Sequence, residues 1–286
     1  MKRITLPILA FIFALGLFAI ANYKLATHNT VQAQSDEPVA QAMHEQGRRS
    51  RCSNSTASGT YGYRMNGAIV GVGPFLVNGF FVHNADGTSA VRAWVTINGQ
   101  SFLTTGVNGT FKTNEDCTGS GTFFGPELGL QVSYDFIVTD GGNQLEILNS
   151  NQGIALQGVG RRIAPAGQRP NCDSRMIEGH YGYRLEGSFP GIPNFASAGY
   201  LIHTAYDREN GKVSGFDTNS FNGQIAPRSI QGTFKMNSDC TGSGNYGDSL
   251  GNTIDYVFMV VDQGKHIYLQ SNYPGGNVAG LATRSE

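Results

Sequence analysis

The chain has 286 residues, a formal net charge of −1 and 14% charged residues, so no basic face is available for a nucleic acid or another polyanion. Its length suits about two domains. Glycine stands at 39 residues, and alongside many Thr, Val, Phe and Tyr it reads as strands and tight turns rather than helices.

In chain order, Lys2 and Arg3 precede an apolar run from Ile4 to Ala21. These are the n-region and h-region of a signal peptide. Small-x-small sites end at Ala21 and Ala33, and the second is preferred because the chain turns polar from Gln34. Residues 1–33 are therefore expected to be a signal peptide. The rest is expected to be exported, whether periplasmic, extracellular or on the cell surface. An uncleaved run of this length sits at the lower limit for crossing a bilayer, and the membrane would be met only there. Residues 34–51 are polar and aperiodic, which predicts a flexible lead-in. Its Arg48-Arg49-Ser50-Arg51 cluster reads as solvated linker.

The remainder is a duplication. Gly59-Thr60-Tyr61-Gly62-Tyr63-Arg64 returns as Gly179-His180-Tyr181-Gly182-Tyr183-Arg184. The segment Gly109 to Gly121 returns as Gly232 to Gly244 with eleven of thirteen positions identical. Tyr134 to Asp140 returns as Tyr256 to Asp262, and both copies close on a Gly-x-x-Arg pattern that leads to Arg161 or Arg162 in the first and Arg284 in the second. The copies span 52–163 and 172–286. The segment 164–171, with two prolines and a glycine, reads as an extended linker.

Each copy carries two of the four cysteines. If each copy folds as a unit, the bridges are Cys52–Cys117 and Cys172–Cys240, in keeping with an oxidising compartment. No CxxC or HxxxH spacing supports a metal site, and neither a metal nor another cofactor is expected.

In the first copy, strands are predicted near 59–66, 75–83, 89–97, 100–105, 107–113, 118–124, 130–139, 144–149 and 154–162. Asp86-Gly87, Asn98-Gly99 and Asp140-Gly141-Gly142-Asn143 supply turns. Val91, Ala93, Val95 and Ile97 alternate with polar neighbours. The expected fold is all-β: two tandem antiparallel up-and-down barrels, with two-sheet sandwiches as the runner-up.

The Gly-x-Tyr-x-Tyr opening strand, the Gly-Thr-Phe-x-x-Asn-x-Asp-Cys-Thr-Gly centre and the Asp-Phe-Ile-Val-x-Asp-Gly hairpin resemble a group of exported bacterial proteins of unassigned activity. Those proteins are similar to allene oxide cyclase and lipocalin-type (calycin-like) barrels. The resemblance implies a small barrel with an apolar cavity in each copy. No residue of the cyclase site maps onto this chain.

Candidate ligand-binding residues follow from positions shared by the copies. Tyr61 and Tyr63, like Tyr181 and Tyr183, fall on one side of a strand. They read either as phenols lining a pocket or as core aromatics closing a barrel end, the second being favoured. Arg64 and Arg184 could grip a carboxylate, or face outward. His83 and His203 could serve as bases, but no nucleophile or acid partner stands beside them in sequence, and a turn-capping role is the plainer reading. Asp116, Asp239, Asp140 and Asp262 read as turn residues. No catalytic set emerges. The functional expectation is a non-enzymatic exported protein that binds a small apolar molecule or an extracellular partner. The alternatives are an isomerase or cyclase of the allene-oxide-cyclase type and a structural cell-surface or matrix component.

Overall fold

The structure, a computed structural model, describes residues 51–285. The expected signal peptide and all but the last residue of the lead-in lie outside the described residues. The first copy contributes β1 (Gly59–Ile69), β2 (Gly73–His83), β3 (Thr88–Ile97), β4 (Gln100–Thr113), β5 (Thr118–Gly125), β6 (Leu130–Thr139), β7 (Gln144–Asn149) and β8 (Ile154–Pro165). The second contributes β9 (Gly179–Phe189), β10 (Ile192–Ala205), β11 (Asn210–Phe221), β12 (Gln224–Met236), β13 (Thr241–Asp248), β14 (Thr253–Val261), β15 (His266–Ser271) and β16 (Asn277–Arg284).

Each set of eight forms an antiparallel meander that closes on itself, β1 on β8 and β9 on β16. The fold is two tandem closed barrels. Closure pairs every strand on both sides, so neither barrel presents an open edge.

Nine strands were expected in the first copy and eight form. The segments 100–105 and 107–113 are one strand, β4, because the chain absorbs the break as a bulge. Its pairing with β5 shifts between Val107 and Thr110, and Asn108 takes a positive φ of 53°. β8 also runs through Ala164 and Pro165, two residues into the segment read as linker.

Local chemistry explains the turns. Asn98 and Gly99 have φ of 48° and 80°, the paired left-handed geometry of a two-residue hairpin, and Asn222 and Gly223 repeat it at 52° and 89°. In the Asn-x-Asp-Cys-Thr turn, Asp116 Oδ1 accepts from the Thr118 backbone N–H at 3.0 Å and from its hydroxyl at 2.7 Å. Asp239 and Thr241 repeat this at 3.0 and 2.6 Å. Both turns place their cysteine in a bridge, Cys52–Cys117 and Cys172–Cys240, with Cα atoms 5.0 Å apart in each. Each bridge ties the lead into a copy to that copy's central turn. Two such bonds fit an oxidising, non-cytoplasmic environment.

One end of each barrel is sealed in the same way. The Tyr61 hydroxyl donates to the Gly142 carbonyl at 2.6 Å, and Arg162 Nη2 donates to the Tyr61 oxygen at 2.9 Å and to Thr56 O at 2.8 Å. In the second barrel Tyr181 donates to Gly264 O at 2.5 Å, and Arg284 Nη2 donates to Tyr181 at 2.8 Å and to Met176 O. The arginine that closes each repeat therefore ties the last strand to the first.

Both barrels belong to one compact unit, Cys52–Glu286. They meet face to wall. Phe80, Trp94 and Ile163 of the first pack on Met259, Val261 and Tyr268 of the second. Gln270 Nε2 donates to Thr96 Oγ1 at 2.9 Å, the Gly275 N–H donates to Gly99 O at 2.9 Å, and Arg64 pairs with Glu186 at 3.1 Å. Gly62 is required here, since a Cβ at that position would lie 2.4 Å from Val261 Cγ1.

Candidate functional site: a polar cluster in the second barrel

Inward-facing residues fill the first barrel largely with apolar side chains, with the hydroxyls of Ser89, Thr104 and Thr113 buried among them. His83 is fully buried among them, its ring stacked on Phe111 with centroids 3.8 Å apart and its Nε2 2.9 Å from the Tyr134 hydroxyl. Burial pushes its pKa down to about 3. His203 occupies the matching place, edge-on to Tyr181 and Phe234 at 5.4 Å each. Burial, and then the nearby Arg284 charge, lower its pKa to about 4. Both imidazoles are therefore neutral near pH 7.

The second barrel departs from this pattern. Asp217 and Asn219 on β11 are both fully buried, and Arg228 on the paired strand β12 is 4% exposed. Arg228 holds Asp217 with two parallel bonds, Nε to Oδ1 at 2.8 Å and Nη2 to Oδ2 at 2.9 Å. Its Nη1 donates to Asp248 Oδ2 at 2.8 Å, and its guanidinium carbon lies 5.4 Å from the centre of the Tyr246 ring. Ser197 Oγ donates to Asp217 Oδ2 at 2.7 Å, and the Tyr183 hydroxyl donates to the same oxygen.

Burial alone would lower the Arg228 pKa, but the bonds to Asp217 and Asp248 outweigh it and raise it. Burial, reinforced by the Asp217 carboxylate, raises the Tyr183 pKa well above the usual phenol range. The cluster is thus one cation against two carboxylates, with a neutral phenol and a hydroxyl as fixed donors. Asn219 lies one inward position beyond Asp217, and neither its Oδ1 nor its Nδ2 has a partner. Beyond it, four aromatics crowd the barrel's other end. Phe195 lies 5.0 Å from Phe189 and 5.4 Å from Phe221, and Phe189 lies 5.6 Å from Tyr273.

Strand register shows how local this chemistry is. Gly79 faces Ala93 in the first barrel where Gly199 faces Asp217 in the second. Ala93 in turn faces Thr104 where Asp217 faces Arg228. By the same alignment Val95 stands in place of Asn219 and Val77 in place of Ser197.

Of the residues singled out from sequence, Tyr183 alone joins the cluster. Tyr63 is buried inside the first barrel, and Tyr61 and Tyr181 serve the sealed ends. His83 and His203 stand inside, near those same ends. Arg64 and Arg184 do not reach either interior, because strand alternation turns them outward; Arg64 bridges the barrels to Glu186. Ser197, Asp217, Asn219, Arg228, Tyr246 and Asp248 escaped the sequence reading. Their signal is a difference between copies: inward Val91, Ala93 and Val95 become Gly215, Asp217 and Asn219. Among the described residues, no three metal-ligating side chains gather.

The fold and its interior define a tandem closed-barrel protein with one apolar and one polar-cored barrel. No family model matches the chain, and no curated protein matches it. Among solved structures it is similar to a de novo designed fluorescence-activating β-barrel, at 13% identity and a TM-score of 0.33, covering 39% of this chain and 96% of that one. Kievitone hydratase from Nectria haematococca is similar at 8% identity and 0.28, covering 81% and 90%. A protein of unknown function from the DUF3598 family of Nostoc punctiforme is similar at 10% identity and 0.25, covering 80% and 97%. These likenesses are of barrel architecture alone.

Proposed function

We propose that this is an exported, non-enzymatic binding protein whose second barrel takes a small, neutral, largely aromatic molecule bearing an amide, carbonyl or hydroxyl group. The carrying observation is Asn219, fully buried with its donor and its acceptor both unpartnered. Buried amides are ordinarily satisfied, and leaving one unpaired costs about 1–3 kcal/mol. A ligand polar group on Asn219 would recover that cost. Phe189, Phe195, Phe221 and Tyr273, packed at the end beyond Asn219, would offer faces to an aromatic body.

The electrostatics select among ligands. Arg228 is already engaged by Asp217 and Asp248. Its cluster carries more negative than positive charge, so a carboxylate ligand would be repelled. The neutral, deeply buried histidines support binding over an isomerase or cyclase, which would need a proton-transfer group near neutrality facing the substrate.

Native mass spectrometry after incubation with neutral phenols and aromatic amides, and with decanoic acid as the anionic control, tests this reading. One neutral compound should be retained at one per chain, and Asn219→Val should weaken it at least tenfold. The same variant should raise unfolding stability by about 1–3 kcal/mol, because the first barrel's valine replaces an unpaired amide. Undiminished binding by Asn219→Val, or retention of decanoic acid alone, sinks the proposal.

A further inference from the structure

The contact between the two barrels is heterologous: a face of the first meets a different face of the second. A pair joined in this way leaves one copy of each face unused. The duplication identifies both.

On the second barrel the used surface carries Met259, Tyr268, Gln270 and Leu281. The register of β5 to β8 places Ile137, Glu146, Leu148 and Val159 at the matching positions of the first barrel. These line an open groove there, with Ile137 52% and Leu148 51% exposed. On the first barrel the used surface carries Gly62, Phe80 and Thr96. The matching positions of the second are Gly182, Tyr200 and Ser220, with Tyr200 49% exposed and Phe216 beside it 43% exposed.

Backbone details agree at both unused faces. Gly99 and Gly275 approach so closely across the internal contact that a Cβ on Gly99 would lie 2.5 Å from Gly275 O. Their counterparts, Gly223 and Gly153, keep matching positive φ of 89° and 81°, and a Cβ on either would meet nothing within 4 Å. Gly62, which the internal contact needs, has its counterpart in Gly182, where a Cβ also meets nothing within 4 Å. Charge is complementary too. By the strand register, Arg184, the counterpart of Arg64, is a basic group of the docking face, and Glu146, the counterpart of Tyr268, is an acidic group lining the groove.

We infer that a second copy of this chain docks through its β9–β11 face into the β5–β8 groove of the first, repeating the internal barrel–barrel contact. Each added chain offers the same groove or face again, so association proceeds head to tail. The new contact is weaker than the internal one, because Thr218 replaces Trp94 and Thr139 replaces Val261. Association is therefore reversible and depends on concentration.

Sedimentation velocity on the full chain across a roughly hundred-fold concentration range tests this. The wild type should show a rising series of oligomers. Leu148→Glu spoils the groove and Tyr200→Asp spoils the docking face. Both side chains are about half exposed, so each variant keeps the barrels folded, as circular dichroism would verify. Each variant alone should remain monomeric. An equimolar mixture should form dimers and stop there, because the Leu148 variant retains the docking face and the Tyr200 variant retains the groove. A wild type monomeric throughout overturns the inference. So does a dimer indifferent to both substitutions, or loss of association that mixing does not restore.

Discussion

His83 and His203 illustrate how a side chain's surroundings settle what it can do. A histidine kept in both copies invites a catalytic reading, yet aromatic packing holds these two at pKa values of about 3 and 4. The unfolded chain titrates near 6.5 and so binds protons first as the pH falls. Their contribution is complete above pH 6.5 and is lost between 6.5 and about 3 for His83, and between 6.5 and about 4 for His203. Each pH unit inside the window costs up to about 1.4 kcal/mol per ring. Urea midpoints should fall steadily on acidification, and the ring protons of both histidines should show no titration by NMR from about pH 8 to about pH 5. An imidazole titrating near 6.5 would contradict this placement. The site itself was faint at this scale. Asp217, Asn219 and Arg228 sit on different strands and form no linear motif, and comparison of the copies favours what they share over what distinguishes them.

Strands and turns were far more legible. Asn-Gly pairs, Asx turns and period-two alternation act locally, so their residues announce them. The bulge in β4 reads instead as a strand break, because its Asn108-Gly109 pair, of the kind that turns a hairpin at Asn98-Gly99, here takes up a register shift inside one continuous strand. The pairing of β11 with β12 carries the energetic risk of the second barrel. A buried ion pair stabilises little in itself, but breaking one strands the other charge. Arg228→Thr, the first barrel's residue, should cost about 3–5 kcal/mol in denaturant unfolding. Adding Asp217→Ala, again the first barrel's residue, should recover more than half. A double variant as unstable as the single would mean that the cluster is held by more than the pair.

At the level of the whole molecule, the duplication supplied the two barrels and their bridges, whereas their mutual contact was invisible. It depends on outward residues that look like ordinary strand surface. Gly62 and Gly182 occupy identical motif positions, yet only Gly62 lies under Val261. Gly62→Leu should loosen the barrels and speed proteolysis within residues 164–171, while Gly182→Leu leaves the cutting rate unchanged. Equal rates for the two variants would remove the structural basis for the barrel–barrel contact. The reading of function rests on a further asymmetry, that the second barrel and not the first is built to hold a ligand. NMR titration of the isotope-labelled chain with the neutral aromatic retained in the mass spectrometric screen tests it most directly. The prediction is that the Asn219 side-chain amide and the inward residues of β9 to β13 shift together while the first barrel's interior stays still. Shifts centred on Tyr63 and His83, or confined to the outer faces, would contradict it.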